Sequence, residues 1–146
     1  MKKNLWKILA ALMVIALPLV VTSCKKDEDK GPKTYNYSWT LQNTTLPGTP
    51  TVAEEEAAIA AKKSINALFA AEFRKRGFLD ADATSQTFSV TTEDDVADWD
   101  SKVKQACYTV KGLSELFAVA GALPSNASIV VKRSGAKDAI FNEKLR

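Results

Sequence analysis

The chain reads as an α+β protein, a two-layer sandwich in the order β-α-β-α-β-β with two helices on one face of a four-stranded sheet. Two observations predict this. Two long segments repeat apolar residues at three- and four-residue steps, the period of amphipathic helices. The first two strand-like segments alternate with period two and are apolar on one side only, which in a sheet means that one face is covered and the other meets water. Only Ile129-Val130-Val131 reads as apolar on both sides. Two helices cover one face of a four-stranded sheet well but not both, so two layers are favoured over three.

The elements follow in order. In Tyr35 to Gln42, Tyr35, Tyr37, Trp39 and Leu41 fall on one side and Asn36, Ser38, Thr40 and Gln42 on the other, the mark of a half-buried strand. Asn43 to Pro50, with Pro47-Gly48 inside, is a turn-rich connection. Thr51-Val52-Ala53-Glu54 is a capping box, and Glu55 and Glu56 near the start with Arg74, Lys75 and Arg76 at the end complement the helix dipole. The spacing predicts a helix over Val52 to Arg76, with Ala58, Ala61, Ile65, Leu68, Phe69 and Phe73 on its apolar face and Gly77 as its left-handed stop. Thr84 to Thr91 repeats the strand pattern, with Phe88 and Val90 inward and Ser85, Thr87, Ser89 and Thr91 outward. A second helix is expected from Thr92, its stripe running through Val96, Trp99, Val103, Cys107 or Ala106, Val110, Leu113 and Phe117, until Gly121 and Pro124 end it. Residues 127–132 form a third strand, 134–138 a hairpin loop and 139–145 a weaker fourth strand. Tyr35, Tyr37, Trp39, Phe69, Phe88, Val90 and Trp99 are expected to meet in the core.

Ahead of this domain stands a segment of another kind. Lys2, Lys3 and Lys7 precede an apolar run from Ile8 to Val21, broken only by Pro18, and small polar residues lead to a cysteine. A charged start, a short apolar stretch and a small-residue processing site make a secretory signal peptide. The run is too short for a membrane-spanning helix, which needs about 20 residues. Val21-Thr22-Ser23-Cys24 resembles the lipobox of bacterial lipoproteins. The resemblance implies that residues 1–23 are removed and that Cys24 carries covalent lipid, a diacylglycerol thioether plus an amide-linked acyl chain. One acyl chain holds a protein only marginally at a membrane and stable anchoring needs a second, so three would make release negligible. No other cofactor is expected. Residues 24–33 then form a charged tether that can bury nothing. Its Lys25, Lys26, Asp27, Glu28 and Asp29 resemble the lysine-plus-acid export signal of some Gram-negative surface lipoproteins, which implies an outer-membrane protein facing the cell exterior. Residues 34–146 are the single globular domain.

Charge follows from that processing. The chain has 20 basic and 17 acidic residues; removal of the three lysines before Cys24 leaves 17 of each. A formally neutral domain offers no electrostatic reason to bind nucleic acid. The chain contains no histidine, and with Cys24 taken by lipid, Cys107 has no disulfide partner. On the apolar face of a helix and with no histidine to act as its base, Cys107 reads as a small buried hydrophobe.

Three constellations bear on chemistry. Ser101-Lys102-Val103-Lys104 matches the S-x-x-K spacing of penicillin-recognising enzymes, but those enzymes need further motifs, and Lys132-Arg133-Ser134-Gly135 is only a distorted echo of K-T-G. Gly112-Leu113-Ser114-Glu115-Leu116 lacks the second glycine of a nucleophile elbow. Asp94, Asp95, Asp98 and Asp100 are explained by compensation of a helix dipole, and an EF-hand loop from Asp80 fails because Ser85 and Thr91 stand where glycine and glutamate belong. No catalytic residue and no metal ligand is therefore assigned. Asn36, Ser38, Thr40 and Gln42 beside Ser85, Thr87, Ser89 and Thr91 would form a flat surface of hydroxyls and amides if the two strands are neighbours, with Thr87 and Ser89 its central members on the second strand. The sequence thus points to a non-enzymatic interaction module that meets an envelope protein or a glycan. An inhibitor of a larger envelope enzyme is the first alternative, and a small hydrolase using Ser101 and Lys104 the second.

Overall fold

A computed structural model of the protein describes residues 31–145, and from Thr34 onward the chain forms one compact unit. Strand β1 (Lys33–Gln42) keeps the expected alternation, with Tyr37 and Trp39 buried and Asn36, Ser38, Thr40 and Gln42 exposed. It begins at Lys33, the residue with which the tether was expected to end. Helix α1 (Val52–Lys75) opens on the expected capping box: the Glu54 N–H donates to Thr51 Oγ1 at 3.3 Å, and the Thr51 N–H donates to the Glu54 carboxylate at 2.6 Å. Arg76 is the C-cap, so the helix ends one residue earlier than predicted. Gly77 follows at φ +100°, and a Cβ there would sit 3.3 Å from the Trp99 ring. Glycine is favoured here by its backbone conformation, and a side chain would also crowd the Trp99 ring.

Strand β2 (Thr87–Thr92) starts three residues later than its pattern suggests. Gln86 sits at φ +56° and its N–H donates to Asp82 O at 2.8 Å, while Thr84 N–H donates to Asp82 Oδ1 at 2.9 Å. This Asx turn takes residues 84–86, and Ser85 with them, out of the strand. Helix α2 (Val96–Val119) opens at Asp95 and not at Thr92, because Asp95 Oδ1 accepts from Ala97 N–H at 3.0 Å while Thr92 still belongs to β2. Its buried stripe is Trp99, Val103, Ala106, Cys107, Val110, Ser114 and Ala118. Four-residue steps after Val110 carry the stripe past Leu113, which is 45% exposed, and leave Phe117 half-buried. Strands β3 (Ser128–Arg133) and β4 (Phe141–Lys144) are shifted or shortened relative to 127–132 and 139–145.

The four strands form one antiparallel sheet in the order β2-β1-β3-β4. Ser38 is opposite Lys132 and Thr40 opposite Val130 on β3, and Val130 in turn is opposite Asn142 on β4. Both helices pack on the same side. Trp39 lies 5.7 and 5.5 Å from Phe69 and Phe73 of α1, and Tyr37 Oη donates to Asp100 of α2 at 2.9 Å. Phe73 stacks on Phe88 with ring centroids 3.9 Å apart, and Phe78 meets Tyr37, Phe88 and Trp99 edge-on. The expected core residues are all present, with Tyr35 at the margin. Phe78, fully buried, is a core ring that no periodic pattern marked, since it lies in the loop after Gly77. Each such ring contributes about 1.5–3 kcal/mol relative to an exposed one.

A candidate binding face on the sheet

Because side chains alternate along a strand, covering one sheet face with helices commits every second residue to the other. The Trp39 N–H donates to Gln86 O at 3.0 Å, and Thr34 Oγ1 meets Thr91 Oγ1 at 2.8 Å. These two contacts set Ser38 beside Thr87 and Asn36 beside Ser89. The six residues expected to share a surface, Asn36, Ser38, Thr40, Gln42, Thr87 and Ser89, are thus brought together on the outer face. Among the described residues, neither helix lies over it. Ser85, named with them from the pattern, is instead in the preceding turn, where its hydroxyl meets Thr87 Oγ1 at 2.8 Å.

The rim of this face is fixed by its own polar contacts. Asp80 accepts from both the N–H and the hydroxyl of Ser89, at 2.8 and 2.5 Å, and so occupies part of the free edge of β2. The row along β1 differs: the side chains of Asn36, Ser38, Thr40 and Gln42 have no hydrogen-bond partner among the described residues. β3 and β4 extend the surface with Lys132, Asn142 and Lys144, whereas Val130 and Ser128 at the outward positions between them are buried. Among the described residues, Lys132 and Lys144 are the charged side chains at the outward positions of its strands, while Asp80 and Asp82 border it at the β2 edge. A depression of about 410 Å³ lies between β2, β1 and β3, lined by Asn36, Tyr37, Ser38, Thr87, Lys132, Arg133 and Ser134.

Sequence reasoning missed Lys132 and Ser134 as members of this surface. Lys132 reaches Ser38 only through the β1–β3 pairing, a contact across 94 positions of chain that no local pattern encodes.

Beneath the face, two polar hubs hold strands to helices. Asp100 of α2 receives Tyr37 Oη together with Arg133 Nε and Nη2, at 3.1 and 3.2 Å. Burial and the adjoining Asp100 carboxylate raise the Tyr37 phenol above its ordinary value. Asn66 of α1 accepts from Trp39 Nε1 at 3.0 Å and from Gln86 Nε2 at 3.2 Å, tying β1 to the turn that launches β2.

The other sequence candidates are scattered. Ser101 and Lys104 are both exposed on α2 and share no hydrogen bond among the described residues. Ser114, from the elbow-like motif, is buried within the same helix. Cys107 is fully buried, and desolvation pushes its thiol up to about 12. Asp80, Asp82, Asp95 and Asp100 are each engaged by the contacts already described, and among the described residues no three histidine, cysteine or acidic side chains gather as a metal group would require. Two more depressions, of about 390 and 380 Å³, flank Leu46 and Pro50 in the loop before α1.

No family model, curated protein or solved structure matches the chain. The chemistry of the face therefore rests on its own residues. Val21, Thr22, Ser23 and Cys24, and Lys25, Lys26, Asp27, Glu28 and Asp29 of the tether, lie outside the described residues. Among the described residues, no helix is long and apolar enough to cross a membrane.

Proposed function

We propose that the protein is a lipoprotein held at the outer membrane through Cys24, facing the cell exterior, and that its domain is a non-enzymatic binding module. The lipobox-like Val21-Thr22-Ser23-Cys24 and the charged residues after it support the location. The observation that carries the binding reading is the placement of β2 against β1, which gathers Asn36, Ser38, Thr40, Gln42, Thr87 and Ser89 on the sheet face away from both helices. A row of amide and hydroxyl groups without partners among the described residues has hydrogen-bonding capacity to offer a ligand.

The test is protease added to intact cells, with detergent-phase partitioning measured in parallel. The native protein is expected to be shaved from the surface and to enter the detergent phase, and Cys24→Ala to leave that phase with its circular dichroism unchanged. Retention of Cys24→Ala in the detergent phase, or full protection from protease, would contradict the reading. A second reading, an inhibitor seated on a larger envelope enzyme, is favoured by the exposed apolar residues Leu113, Leu116 and Val119 on α2. Stoichiometric co-purification of one hydrolase that Leu116→Asp abolishes would support it over the sheet-face reading.

A further inference from the structure

The outer sheet face has a charge that the domain as a whole lacks. Counted after Cys24, acids and bases balance, yet the strands put two lysines and no carboxylate on this surface. Two acids border its β2 edge, and both are already engaged: Asp80 receives two hydrogen bonds from Ser89, and Asp82, bridged to Thr87, accepts from the Thr84 N–H. Lys132 forms no ion pair among the described residues. It stands where the depression is deepest in polar groups, with Ser38 opposite it, Thr87 one strand further and Ser134 at its end.

The second lysine is diagonal to the first. Lys144 is opposite Ser128, and Lys132 is four residues further along β3. Strand rise and strand spacing put the two roots roughly 14 Å apart. Thr40, Val130 and Asn142 lie between them in one register row; Val130 is buried, so the row offers a hydroxyl and an amide. Among the described residues, no aromatic ring stands at an outward strand position, and Tyr37, which lines the depression, is only 3% exposed, so a neutral sugar has no open ring to lie against. The surface's strong contacts are two ammonium groups set into a field of hydroxyl and amide donors, and these suit a ligand with repeated anionic groups and many hydroxyls.

We propose that the face binds an acidic polysaccharide, with a uronate or sulfate group of one sugar seated in the depression on Lys132 and a later acidic sugar reaching Lys144. The proposal rests on the sheet-face reading given above and names the ligand class of that surface. Lys132 supplies a charge-assisted hydrogen bond, Ser38, Thr87 and Asn36 hold the flanking sugar hydroxyls, and the pair of lysines sets direction across the sheet.

The test uses full-length lipoprotein in neutral detergent micelles at low ionic strength, with polygalacturonate as the acidic probe and dextran as the neutral one. Retention by polygalacturonate and not by dextran is expected. Lys132→Gln is expected to weaken retention about tenfold, the value of one charged hydrogen bond. Lys144→Gln is expected to weaken it about threefold, as suits a rim charge. Lys132→Arg restores it, and Lys63→Gln, an exposed lysine on α1, leaves it unchanged. Equal losses in Lys132→Gln and Lys63→Gln would mean non-specific polyelectrolyte attraction and would overturn the proposal, as would equal retention by dextran. A photo-crosslinker at Ser38 in intact cells separates the two levels. An adduct with a protein overturns the polysaccharide assignment and leaves the sheet-face reading standing. Neither an adduct nor retention by polygalacturonate removes both.

Discussion

Asn66→Ala is the most informative single perturbation of the fold, because one side-chain oxygen serves both β1 and the turn that launches β2. Trp39 is 1% exposed and its indole N–H donates to Asn66 Oδ1 at 3.0 Å. Truncation leaves that donor buried with no partner, at a cost of about 1–3 kcal/mol. Gln86 also loses its 3.2 Å bond to the same oxygen but keeps its 3.3 Å bond to Trp39 O, so its loss is smaller. Together these give about 2–3 kcal/mol. At about 4 °C per kcal/mol for a domain of this size, Tm falls by about 8–12 °C. The assay is urea and thermal unfolding in the unlipidated Cys24→Ala background, followed by tryptophan fluorescence. Asn66→Asp keeps an acceptor at the same place and loses less than half as much. Exchange of the Trp39 backbone N–H, bonded to Gln86 O, speeds up in Asn66→Ala as the β1–β2 seam loosens. A change below about 0.5 kcal/mol, the ordinary range for surface substitutions, or equal losses for alanine and aspartate, would refute the reasoning.

Further outcomes follow from the remaining contacts. Asp100→Ala, which leaves the Tyr37 hydroxyl and the Arg133 guanidinium without their shared acceptor, costs about 2–3 kcal/mol, whereas Tyr37→Phe costs about 1; denaturant midpoints measure both. Lys111 donates to Glu143 at 2.7 Å, which holds the Glu143 carboxyl below its ordinary value and the Lys111 ammonium above its own. The pair therefore stabilises the fold between the unfolded values of about 4.3 and 10.4. The benefit is lost as pH falls through the lowered Glu143 value or rises through the raised Lys111 value. Unfolding at several pH values should show the native protein and the Lys111→Met/Glu143→Gln variant differing most near neutrality and converging in acid. The Cys107 thiol, buried and raised to about 12, should resist alkylation in the native state and react only after denaturation, as mass measurement of iodoacetamide-treated protein would show.

The elements that the sequence declared were those governed by local periodicity and capping. The eight-residue alternation from Tyr35 and the Thr51/Glu54 box each act within a turn or two of chain, and both are found where expected. Starts failed where a local side chain competed with the pattern. Asp82 drew residues 84–86 into a turn, and Asp95 took the N-cap from Thr92, because an aspartate serves an exposed N–H as well as a hydroxyl does. Leu113 was misplaced because large apolar residues were favoured over small ones, while the stripe continues through Ser114 and Ala118. The polar face was legible strand by strand, since alternation alone assigns Asn36, Ser38, Thr40 and Gln42 to one side. Its completion by Lys132 depends on strand order, which period-two patterns do not carry.

The proposed anchorage depends most on where the mature chain begins and what it carries there. Mass spectrometry of the N-terminal peptide from native membranes measures this directly. The predicted result is a peptide starting at Cys24 whose mass includes a diacylglycerol thioether and an amide-linked acyl chain. An unmodified terminus, or one that starts at another residue, would contradict the account.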